Sequence, residues 1–136
     1  YWAHWLKLGE KLGEGAPRIF QVNWFRKGPD GKFLWPGFGD NARPIEWALH
    51  RVAGEVGAVD AISGRLPRSG DLNLAGLEIS KDELEALFAL DPEAWTVEAD
   101  LTAEYFAKFG DKLPVELADQ LTELRERIDR VKAANS

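Results

Sequence analysis

Apolar residues at Trp2, Trp5, Leu6, Leu8 and Leu12 recur near the helical repeat and stop in the breaker Gly13-Glu14-Gly15-Ala16-Pro17, which predicts a helix over residues 1 to 12 and then a loop. Arg18 to Trp24, with Ile19, Phe20 and Val22, is short, β-branched and aromatic, and reads as a strand. Gly28-Pro29-Asp30-Gly31 has turn chemistry and predicts a hairpin over Lys27 to Phe33. From Asn41 the apolar positions Ile45, Ala48, Leu49, Val52 and Val56 return at steps of three and four, with Pro44 tolerable in the first turn and Gly57 as the stop. Residues 58 to 79 read as a short strand followed by irregular chain. Ser80 and Glu83 have capping-box spacing ahead of Leu84, Leu87 and Phe88; Asp91-Pro92 starts the next helix; another begins near Pro114 with a stripe of Leu117, Leu121, Leu124, Ile128 and Val131. The pattern is mixed α/β, predominantly helical with a few short strands.

With 136 residues the chain fits one domain or the last portion of a larger one. It opens on Tyr1-Trp2-Ala3-His4-Trp5 and contains no methionine, so it is expected to begin inside a longer polypeptide. There is no charged segment followed by the apolar run of a signal peptide, and no apolar stretch long enough for a bilayer, so a soluble, cytoplasmic protein without a membrane partner is expected. The absence of cysteine excludes disulfides and thiolate chemistry within this chain.

The net charge of −6 is unevenly spread: residues 1 to 70 hold ten Lys/Arg against seven Asp/Glu, and the remainder carries −9. The basic half also holds five of the six tryptophans. An anionic ligand suits the first half and a solvated acidic surface the second, while the acidic whole argues against nucleic-acid binding.

Candidate chemistry concentrates in residues 25 to 41, FRKGPDGKFLWPGFGDN, where four glycines and two prolines interrupt three phenylalanines and a tryptophan. A flat ring slotted between two phenylalanines would bury both faces, Gly37 and Gly39 would let backbone approach its edge, and Asn41 offers both a donor and an acceptor for reading that edge. The same aromatics could instead pin a long loop to the core. Asn41 could instead cap the following helix, Asn being among the best caps. Arg26, Lys27 and Lys32 could approach phosphates or only solubilise the hairpin. His4 and His50 lie on separate predicted helices without a partner histidine and read as structural or surface groups rather than metal ligands.

The string VNWFRKGPDGKFLWPGFGDN followed by ARPIEW resembles the guanine-pocket region of GTP-dependent phosphoenolpyruvate carboxykinases, and the likeness extends to the early AHW helix and the LNLAGL segment. The resemblance implies that residues 1 to 136 are the C-terminal portion of that family's nucleotide-binding domain, with a guanine-binding loop at about 23 to 41 and a helical part at about 80 to 132. It assigns Phe25 and Phe38 as stacking faces, Phe33 as a pocket wall, Asn41 as a guanine-edge contact and Trp24 as a pocket neighbour. It further implies a gluconeogenic parent enzyme, expected to be monomeric, that uses GTP with manganese or magnesium. No G-x-x-x-x-G-K-[ST] phosphate loop occurs here: Gly31-Lys32 has Arg26 at the required glycine and Phe33 after it. Phosphate loop and metal ligands are therefore expected outside this chain, no catalytic residue is assigned within it, and the isolated piece is expected to be inactive. A non-enzymatic interaction module with an exposed aromatic loop is the alternative.

Overall fold

A computed structural model describes residues 1–68 and 70–135; Ser69 and Ser136 lie outside the described residues. The chain is predominantly helical, with one two-stranded antiparallel sheet. It divides into two compact units: Tyr1–Pro17 with the chain from Leu90 onward, and Arg18–Ala89.

In the first unit, helix α1 spans Trp2–Leu12, α4 Pro92–Ala107 and α5 Val115–Ala134. Asp91 starts α4 by accepting from the Glu93 N–H at 2.9 Å, with Pro92 in the first turn, where its missing N–H costs nothing. The ion pairs Asp100 to Arg125 at 2.8 Å and Glu93 to Lys132 at 3.0 Å link the two long helices in antiparallel order. Ala99 on α4 and Ile128 on α5 are buried, and the rest of the predicted α5 stripe is half-buried, as its spacing of three and four requires. Trp2 meets the Phe109 ring edge-on at 4.5 Å.

In the second unit, α2 runs Ala42–Ala53, the strands β1 Val59–Ala61 and β2 Gly64–Leu66 form a hairpin, and α3 spans Lys81–Phe88. Buried Trp47, Ile62 and Leu72 make its core, and Phe20 packs edge-on against Trp47 at 6.0 Å. The capping box at Ser80 and Glu83 forms as its spacing predicts.

Three expectations need correction. The strand over Arg18 to Trp24 does not form: among the described residues no neighbouring strand receives its backbone groups, and Ile19 is left 92% exposed. Helix α2 stops at Gly54, not Gly57. Gly54 adopts the left-handed conformation (φ 77°, ψ 13°), and the Glu55 N–H reaches back to the His50 carbonyl at 2.9 Å, closing the helix before Val56. The region after residue 58 holds two strands rather than one, paired Val59 with Leu66 through Ala61 with Gly64.

Candidate functional site: an aromatic loop braced from behind

The loop is built on a short hairpin. The Gly31 N–H donates to the Gly28 carbonyl at 3.0 Å across Pro29 and Asp30, and Gly31 itself takes φ 78°, which a side-chain-bearing residue would adopt only under strain. Gly28 N–H to Lys32 carbonyl at 2.9 Å closes a three-residue loop, and one antiparallel bridge pairs Lys27 with Phe33. The Asp30 carboxylate accepts from the Lys32 N–H at 3.0 Å. That bond, reinforced by the Lys32 ammonium, holds the Asp30 carboxyl below its ordinary value.

Three side-chain braces hold this loop. Arg26 donates from Nη1 to the Leu87 carbonyl at 3.1 Å and from Nη2 to the Ala89 carbonyl, using the orphan acceptors at the end of α3. Trp35 packs against Trp24 at 5.2 Å and donates its indole N–H to Asn41 Oδ1 at 2.8 Å. Arg43 donates from Nε to Asp40 Oδ1 at 2.9 Å, from Nη2 to the Ala75 carbonyl at 3.1 Å and from Nη1 to the Asn73 carbonyl, so one guanidinium ties the turn Phe38–Asp40 to the chain at 73–75.

The braced loop presents its phenylalanines to solvent. Phe25 is 74%, Phe33 56% and Phe38 91% exposed, whereas Trp24 and Trp35 are half-buried. Pinning therefore falls to the tryptophans, and the phenylalanines do not pack into a core. Phe25 and Phe33 meet edge-on at 6.0 Å. A side-chain carbon at Gly37 or Gly39 would meet no atom within 4 Å, so the backbone beside Phe38 stands clear.

Asn41 precedes α2 but does not cap it through its side chain. Its backbone is already helical (φ −61°, ψ −22°), and its amide oxygen accepts from the Trp35 indole rather than from the first turn of the helix. The basic residues of the hairpin have local partners: Arg26 braces α3, Lys27 lies over the Phe33 ring at 5.3 Å, and Lys32 pairs with Asp30 at 3.4 Å. His4 contacts Trp5 edge-on, and His50 pairs with Glu55. Among the described residues no group of three or more His, Asp or Glu is placed to hold a metal ion, and no helix is long and apolar enough to cross a membrane.

Sequence reasoning assigned no role to Trp35, Asp40 or Arg43. A signal for the ion pair was present: Asp40 and Arg43 stand three apart at a helix start, the spacing at which such pairs meet.

Residues 1–127 match the family model described as the phosphoenolpyruvate carboxykinase C-terminal P-loop domain. A protein of Corynebacterium efficiens named phosphoenolpyruvate carboxykinase (GTP) is 39% identical over 134 residues, covering 98% of this chain and 22% of its own length. Proteins of the same name from Renibacterium salmoninarum (43% over 129 residues, 94% of this chain and 21% of the relative) and Treponema pallidum (42% over 131 residues, 95% and 21%) are similar in the same way. The chain thus spans about a fifth of the length of the curated relatives it matches. With the match running through the braced loop and both units, the chain belongs to the phosphoenolpyruvate carboxykinase C-terminal P-loop domain family.

Proposed function

We propose that this chain supplies the guanine-recognising part of a GTP-dependent phosphoenolpyruvate carboxykinase, in which oxaloacetate is decarboxylated and phosphorylated by GTP to give phosphoenolpyruvate, GDP and carbon dioxide. The observation that carries this reading is the exposure of Phe25, Phe33 and Phe38 on a loop whose backbone is fixed by Arg26, Trp35 and Arg43. Exposed aromatic rings cost apolar surface unless a ligand covers them, and a rigid mount lowers the entropy lost when one does.

In this role Phe25 and Phe38 stack on the two faces of the base, Phe33 forms a wall and Asn41 reads the base edge, with Trp24 buttressing from behind. Phosphate positioning and metal-assisted charge stabilisation belong to the rest of the parent, the chain's expected partner, so the chain alone binds and orients without turnover. Among the described residues no His, Asp and Glu are grouped to hold a metal, and no step is assigned to a metal in this chain. An exposed aromatic loop could also dock a peptide, but the relatives' name favours the nucleotide.

Titration of the full-length protein with GTP, followed by tryptophan fluorescence, tests the reading, because Trp24 and Trp35 lie in the same loop. A saturable change is expected. Phe38→Ala should weaken GTP and its analogues alike by about 1 to 3 kcal/mol, since every base has a face to stack. A flat titration, or an unaltered one in Phe38→Ala, would overturn the reading.

A further inference from the structure

We infer that Trp35 is the residue that makes Asn41 selective, by locking its amide so that it offers only donors to a bound base. The inference rests on the guanine reading above and concerns how the same site discriminates.

An asparagine amide carries one acceptor oxygen and one donor NH₂, and by itself it selects nothing. Rotated one way it donates to the ring-edge carbonyl of guanine. Rotated the other way it accepts from the amino group that adenine carries at that position. An indole nitrogen, by contrast, can only donate. Trp35 Nε1 stands 2.8 Å from Asn41 Oδ1 in a part-buried contact. Turning the amide over would bring NH₂ against indole N–H, two donors without an acceptor, which costs both the lost bond and the unsatisfied group. The indole is in turn held by Trp24, whose ring lies 5.2 Å away at 48°, and so cannot readily swing aside. Asn41 Nδ2 has no acceptor among the described residues. The side chain therefore keeps its oxygen turned toward the indole and its donors free. A base with a carbonyl at that edge is matched, and one with an amino group meets donor against donor.

The test uses the full-length protein and kcat/KM for GTP, ATP and ITP, the last keeping the ring-edge carbonyl but lacking the amino group of guanine. Trp35→Phe keeps a ring against Trp24 and removes the N–H. The GTP over ATP preference should fall about tenfold, the factor one neutral hydrogen bond carries, mainly through a lower KM for ATP. ITP should follow GTP in every variant. Asn41→Asp leaves an oxygen for Trp35 and replaces the free donors by an acceptor, so it should lose GTP and shift preference toward ATP. It carries the test if thermal unfolding shows Trp35→Phe to be misfolded. A GTP to ATP ratio unchanged in Trp35→Phe, or a GTP preference kept by Asn41→Asp, overturns the lock. Phe38→Ala separates the two levels: if it weakens both nucleotides while those ratios stay fixed, the lock fails and the pocket stands. If it weakens neither, the guanine reading itself fails.

Discussion

Arg43 offers the sharpest test of how the loop is held. Its guanidinium serves three acceptors at once: Asp40 Oδ1 at 2.9 Å and the carbonyls of Asn73 and Ala75. The Arg43 and Asp40 side chains are 17% and 25% exposed. Breaking a fully buried pair costs about 3 to 5 kcal/mol, and an exposed one about 0 to 1. A pair this far withdrawn from water falls between those limits, so Arg43→Ala should destabilise its surroundings by about 2 kcal/mol. Because the fork bonds in three directions, Arg43→Lys should recover less than half of that, as a single ammonium cannot reproduce the planar geometry. Hydrogen exchange in the full-length protein reads the local effect, which should appear as faster exchange over residues 38 to 45 and 73 to 77. Steady-state kinetics should show a raised KM for GTP with kcat nearly unchanged, since Arg43 positions the Phe38 turn and touches no reacting atom. Wild-type exchange and KM in both variants would refute the brace. Full rescue by lysine would show that charge, rather than the fork, matters.

Two further outcomes follow from local geometry. Ser80→Ala removes the acceptor for the Glu83 N–H and one donor to the Glu83 carboxylate, and should destabilise α3 by about 1 kcal/mol, seen as faster exchange over residues 81 to 88. His50 is raised above its ordinary value of 6.5 by its hydrogen bond to Glu55, assisted by the charges of Glu55 and Glu46 and opposed by desolvation. A raised folded value means that its stabilising contribution is complete below 6.5 and is lost as pH rises through the raised value. Protection at the end of α2 should therefore decline over that interval, and Glu55→Gln should flatten the dependence. A decline that persists in Glu55→Gln would assign it to another group.

What the sequence disclosed and what it withheld divide along one physical line, the reach of the interaction. Elements set by near neighbours in the chain were legible: the Ser80 capping box, the Asp91-Pro92 start, the Pro29-Asp30-Gly31 turn and the α5 stripe all rest on contacts within about one or two turns. The strand expected at Arg18 to Trp24 failed because a strand is a property of a pair, and composition cannot supply the partner. The end of α2 was misplaced because Gly54 and Gly57 are equal as letters, and the closing bond from Glu55 to His50 chooses the first. For the site, the aromatic string allowed either a ligand platform or a pinned loop, and only burial separates Trp24 and Trp35, which are half-buried, from Phe25, Phe33 and Phe38, which stand exposed. Asn41 shows the limit most plainly. Its two readings, helix cap and edge reader, both require a free amide oxygen or a free amide nitrogen, and the sequence counts both as available. Trp35, six residues away, donates to the oxygen and turns it toward the indole. The helical backbone of Asn41 and the turn of its oxygen toward the indole account for the missing side-chain cap, and neither could be read from the letters.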